Sequence, residues 1–198
     1  MTAKFSFFSG NPSLDLINTE EMRRGKRIDS LTSQEDLSHW FQTLVSMGAF
    51  SQEQFGDAGG QPDESLLSVL KPFRAKLREL LEAAAGSGTP PPDLIRQLEQ
   101  AVRNAPLSYK YTADRLIPVP IGSFESSLLS LIAMDALDIC TSGKLQALHR
   151  CGNPRCIWLY LDYTGKRKWC SMKLCGNRMK ASRFKLKTEG QPDELTSN

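Results

Sequence analysis

Four cysteines near the carboxyl end carry the chemistry that this chain can do. Cys151 and Cys156 form one C-x4-C pair, and thirteen residues later Cys170 and Cys175 form a second with the same spacing. Four thiolates delivered by two tight turns make a closed tetrahedral shell for Zn²⁺. Buried thiols without a metal would not require two matched pairs within one 25-residue stretch. One structural Zn²⁺ is therefore expected on these four residues. Such a shell has no open position for water, and no acid–base pair stands out along the chain, so an enzyme is not expected. Nothing matches a nucleotide loop, a catalytic serine elbow or a zinc-protease helix. The fifth cysteine, Cys140, shares a helix face with Ile132, Ala136 and Ile139 and reads as a core thiol. His149 stands beside the first pair, but four cysteines already complete the shell.

Charge gathers around the same cysteines. Residues 1–149 hold 14 Lys and Arg against 18 Asp and Glu, a net of −4. Residues 150–187 hold 11 bases and one acid, Asp162, a net of +10. A strongly basic module on a mildly acidic body calls for a polyanionic partner. Indexed at 100° per residue from Cys175, the following helix places Met179, Ser182 and Leu186 on the cysteine side. Lys173, Asn177, Lys180, Phe184 and Lys187 fall opposite. Lysines suit phosphates, and an asparagine can pair with adenine. Arg167, Lys168, Arg183 and Lys185 are further candidate contacts. Arg178, at the edge of the buried face, is expected to fix the knuckle or to pair with Asp162. Gly152 and Gly176 each follow a cysteine and are expected to turn backbone N–H groups toward sulfur.

The elements that must position these residues follow from pattern. Ile157 to Leu161 is rich in strand formers, residues 163–166 supply a turn, and residues 167–169 return toward Cys170. A helix is then expected from Met172 or Lys173 to about Lys187. Knuckle, hairpin and ligand-bearing helix together describe a treble-clef-like finger over residues 145–190, entered through a short strand at 145–149. Residues 1–144 read as a separate, helix-rich α+β domain. Residues 4–8 suggest a short strand, and a helix starts near Ser13 with Asn11 or Ser13 as cap. Residues 23–27 form a short basic loop that reads as a solvated turn. Amphipathic helices follow around Leu37 to Val45, Leu66 to Ala84 (with Pro72 kinking it or starting it) and Leu94 to Val102. A hairpin over residues 107–119 and a helix capped by Ser123 complete the domain. Asp15 and Asn18, at i, i+3, share a face beside Leu14 and Ile17, which suits either a buried polar network or a small-molecule pocket. No apolar run reaches the roughly 18 residues of a membrane helix, and the start lacks a secretory leader, so a cytoplasmic protein with reduced thiols is expected.

Two stretches resemble a known family. Trp169, Cys170, Ser171 and Met172, together with Cys175, Gly176, Asn177 and Arg178, match the signature of the CGNR zinc finger. Residues 159–162 fit that family's strand before the turn. Residues 10–19, GNPSLDLINT, look like the start of the ABATE domain, which usually precedes this finger. The turn between Asp162 and Trp169 is shorter than the family's usual one, and Lys168 stands where arginine is common. The resemblance implies a bacterial stress-induced transcription regulator whose finger binds DNA. Beside that, the amino-terminal domain is expected to sense a signal, such as a small-molecule ligand, or to hold a protein partner. One short finger offers too small a surface for high specificity, so a homodimer or a second contact is expected. Docking to an acidic protein surface and binding to RNA stay open as alternatives.

Overall fold

The computed structural model describes residues 5, 9–55, 62–141 and 143–188. Helix α1 (Pro12–Ile17) starts where Pro12 takes the first helical position, its preset φ favouring that site. Asn11 is the N-cap by position, but its side chain bonds Asp135 instead of the helix, and Ser13 lies within the first turn. All six residues of α1 are buried. Residues 23–27 are the expected solvated turn, and they do more than connect. They close a hairpin of β1 (Glu20–Arg23) and β2 (Lys26–Asp29), in which Arg24 and Gly25 take positive φ of 49° and 78°. Positive φ at both central positions is the turn that matches strand twist.

Helix α2 (Gln34–Ser46) is capped by the Ser33 hydroxyl, which accepts from Asp36 N at 3.3 Å, and Gly48 ends it with φ of 75°. Helix α3 (Glu64–Ala84) begins at the Asp63 cap and runs on through Pro72. Helix α4 (Pro92–Asn104) leads to β3 (Leu107–Thr112) and β4 (Arg115–Pro120), paired antiparallel as expected. Ser123 caps α5 (Phe124–Thr141), accepting from Ser126 N at 3.2 Å. A 3₁₀ turn (Lys144–Ala147), rather than a strand, then leads into β5 (Leu148–Arg150). Strand β6 (Leu159–Leu161), a π turn (Met172–Gly176) and α6 (Asn177–Thr188) complete the described chain. The strand expected at residues 4–8 lies outside the described residues except for Phe5.

One apolar core joins α1, α2, α3, α4 and α5, with Trp40, Leu14, Ile17, Leu70 and Leu81 fully enclosed. Leu148, Leu159 and Leu161 belong to that same core. The finger's sheet is thus a wall of the body, while Cys151, Trp158, Tyr160, Cys170 and Cys175 form a small second cluster. Residue 144, the boundary expected from sequence, falls in the 3₁₀ turn before this shared sheet. Among the described residues no helix is long and apolar enough to cross a membrane.

Candidate metal centre

The hairpin that carries the first two cysteines differs from the expected one. Strand β6 pairs with β5, Leu148 opposite Leu161 and Arg150 opposite Leu159, so the knuckle is the hairpin's own loop. Residues 167–169 form no strand. Cys151 N bonds Trp158 O at 3.0 Å and extends the ladder into the loop. Asn153 makes the tight turn: its carbonyl accepts from Cys156 N at 2.9 Å and its side chain from Arg155 N at 3.0 Å. Such Asx turns stabilise a reversal that apolar packing would not.

The second pair rests on the π turn. Ser171 O accepts from Cys175 N at 2.9 Å and from Gly176 N at 3.0 Å. Gly152 serves close approach rather than donation to sulfur, and the Gly176 N–H bonds Ser171 O. A Cβ on Gly152 would lie 2.7 Å from Lys168 O, and Gly152 N donates to that same carbonyl at 2.9 Å. A Cβ on Gly176 would meet only the mobile end of the exposed Met172 side chain, 2.6 Å from its sulfur, and the edge of Trp169 at 3.2 Å, so the tight approach is that of Gly152. Backbone N–H groups that do face sulfur are those of Cys170, 3.4 Å from Cys151 Sγ, and of Trp158, toward Cys156.

The four sulfurs all lie within 4.8 Å of one another, with Cys156 and Cys170 3.9 Å apart. Zn–S bonds of about 2.3 Å in a tetrahedron set neighbouring sulfurs about 3.8 Å apart. The cluster fits one structural Zn²⁺. Crowding alone would keep the thiols from ionising together. Hydrogen bonds from Cys156 and Cys170 push Cys151 down, whereas Cys151 pushes both Cys156 and Cys170 up. Cys175 settles at about 7, with Cys151 opposing and Cys156 and Cys170 favouring its thiolate. A bound dication favours all four thiolates at once.

Asp162 anchors the turn that leads to the second pair. It accepts from Thr164 Oγ1 at 2.7 Å, Thr164 N at 3.0 Å and Arg167 N at 2.6 Å. The Thr164 hydroxyl first, then these backbone donors, hold its carboxyl down at about 2. Arg178 does not reach Asp162: it is exposed and has no hydrogen bond or ion pair among the described residues. Arg167 takes the structural role instead. Its guanidinium bonds Leu161 O at 3.1 Å and Cys170 O at 2.6 Å and lies 4.6 Å from the centre of the Tyr160 ring. It therefore clamps the finger while remaining exposed.

On α6 the expected faces hold in part. Met179 is buried, but Ser182 is exposed. Lys173, Asn177, Lys180 and Phe184 are all exposed, as are Lys168 and Lys185, while Arg183 is half-buried. The side chains of Leu186 and Lys187 lie outside the description.

A family model, ABATE, described as "Putative stress-induced transcription regulator", matches residues 10–143. This chain belongs to the ABATE family. The CGNR zinc finger model matches residues 148–187, spanning all four cysteines. No curated protein matches the chain.

Polar residues of the ABATE domain dock the CGNR finger. Asn18 Nδ2 donates to Leu159 O at 2.8 Å and its Oδ1 accepts from Leu159 N at 3.1 Å, so one amide pairs with β6 as a neighbouring strand would. Asp15 works elsewhere, accepting from Ser9 Oγ at 2.5 Å. Asp15 and Asn18 thus do not converge on one pocket. Arg78, buried on α3, reaches Ile17 O, Glu20 (3.0 Å) and Ile157 O (2.7 Å). Trp158 Nε1 donates to Glu20 O at 2.8 Å. Sequence reading missed Arg74 and Arg78. Their signal is the i, i+4 spacing on the face that also carries Leu70, Leu77 and Leu81.

Proposed function

We propose that this ABATE-family protein regulates transcription by binding duplex DNA through its CGNR finger. The observation that carries this reading is the exposed row of Lys173, Asn177 and Lys180 on a zinc-anchored helix, in a segment of net charge +10. A helix of this kind presents a rigid cationic edge to a groove, and its lysines neutralise phosphates while Asn177 meets base edges. The metal holds structure and performs no chemistry, because four thiolates fill its shell. The ABATE domain is the regulatory part, and its buried contacts to β6 are the route by which its state reaches the finger.

The test is affinity of the zinc-loaded protein for duplex DNA across salt concentrations. If about six phosphates are neutralised, log K falls with log salt at a slope of about −5. Changing Lys173, Lys180 and Lys187 to Ala weakens binding to all sequences and makes the slope shallower by about three. Asn177→Ala shifts sequence preference more than affinity. Affinity that ignores salt, or survives loss of all three lysines, transfers the finger to an acidic protein partner. The 70% exposed Phe184 beside the lysines favours RNA as second reading, since unstacked bases stack on such rings. Tighter binding to single-stranded RNA than to duplex DNA would decide for it.

A further inference from the structure

Five residues of the ABATE domain, 23–27, carry four bases and stand apart from the body. Arg23 and Lys26 face each other on the last rung of the β1–β2 hairpin, and Arg24 and Gly25 form its turn. A Cβ built on Gly25 meets nothing within 4 Å, so the tip projects into solvent. Arg23, Arg24, Lys26 and Arg27 are all exposed.

The hairpin's acids leave two of its four bases, Arg24 and Lys26, uncompensated. Glu20 and Asp29 sit at the base and turn to buried arginines of α3: Glu20 to Arg78 at 3.0 Å, and Asp29 to Arg74 through two bonds of 2.7 Å. Glu21 pairs with Arg23 at 2.5 Å, and Glu20 lies 4.0 Å from Arg27. Arg24 and Lys26 have no acidic partner among the described residues.

Trp158 fastens the base of this hairpin to the finger through Glu20 O. Between hairpin and finger runs an open cleft of about 460 Å³, with Glu21, Met22 and Arg23 on one wall and Arg155 and Arg178 on the other. Both finger arginines are exposed and have no acidic partner among the described residues. The ABATE domain, acidic as a whole, thus carries beside this cleft a hairpin with four exposed bases, of which Arg23 lines the cleft itself. Two like-charged surfaces held side by side repel each other unless a polyanion covers both.

We propose that the hairpin tip and the cleft-facing side of the finger form one phosphodiester-binding surface, with Arg24 and Lys26 on the DNA backbone flanking the finger's site. This rests on the DNA reading above and supplies what one finger lacks. A single small module covers about 600–1,000 Å² of its own surface, below the area typical of specific complexes. A protruding ribbon on a rigid body adds backbone contacts that set orientation.

The experiment uses the full, zinc-loaded chain and compares salt dependence for one duplex. The double variant Arg24→Asn with Lys26→Gln removes both charges, and Asn keeps the left-handed turn, where it is favoured. The comparison variant, Arg96→Gln with Arg103→Gln, removes two exposed charges from α4. Zinc content and melting temperature are measured for both. The expected result is a slope shallower by about two for the hairpin variant only, at about 0.9 per lost phosphate contact. An equal change in both variants, or none in either while wild type still binds, overturns the hairpin contact and leaves the DNA reading standing. A slope loss seen with an acidic polypeptide but not with duplex DNA assigns the surface to a protein and overturns the proposal. Absence of salt-dependent duplex binding in wild type overturns both readings.

Discussion

Asn18 shows how one buried amide ties two sequence-distant regions together. It satisfies both backbone groups of Leu159, on the edge of a two-stranded sheet that would otherwise be left unpaired inside the protein. Asp15, one turn earlier, sets a pH dependence. Burial raises its carboxyl to about 6 against an ordinary 3.8, despite two hydrogen bonds from Ser9. The folded chain therefore keeps a proton that the unfolded chain has lost. This contribution to stability is full below about pH 4 and is lost as pH rises through 6. Asp135, also raised by burial, adds to the same trend. Asp15→Asn keeps an oxygen to accept from Ser9 and removes the titration. Its stability relative to wild type should rise steadily between pH 4 and 7 in urea unfolding. A constant difference across that range would contradict the assignment.

At the scale of elements, the longest helix contains its own weak point. Pro72 lies inside α3, lacks an N–H for the Ser68 carbonyl and strains the preceding turn. Burial of Leu66, Leu67, Leu70, Leu77, Leu80 and Leu81 on one side outweighs that cost and keeps the helix continuous. Pro72 is exposed, so Pro72→Ala loses little packing and restores one hydrogen bond. A gain of about 1–3 kcal/mol in chemical denaturation is expected. No gain would mean that the helix is already bent to suit proline. The helices, the β3–β4 hairpin and the Ser123 cap were legible because local signals decide them. The β1–β2 hairpin was not: its turn reads Arg-Gly rather than Asn-Gly, and its strands carry charge where alternation is sought. Those charges are kept in place by Arg74 and Arg78, which lie about fifty residues away.

At the scale of the whole molecule, zinc and the body share the load of holding the finger. Leu148, Leu159 and Leu161 are anchored in the main core, whereas the second pair of cysteines and α6 have only the small cluster and the metal. Metal analysis should return about one equivalent of Zn²⁺ per chain. After chelation, limited proteolysis should remove residues beyond 162 first, while β5 and β6 stay protected on the body. A first cut near 145 would show that the finger separates as a whole. Exposed backbone without a core opens at low free energy, which is why the metal's share is local.

Sequence alone determined the metal site, since ligand type and spacing are local and a closed thiolate shell admits few alternatives. It determined the charge asymmetry and most helices for the same reason. Only the tertiary structure decided which strand pairs with β6, that Arg167 clamps the finger while Arg178 has no partner among the described residues, and that Asn18 and Arg78 bind the two regions. These are contacts between residues up to 141 positions apart, and each is chosen by what burial leaves unpaired. Neither periodicity nor spacing carries that information.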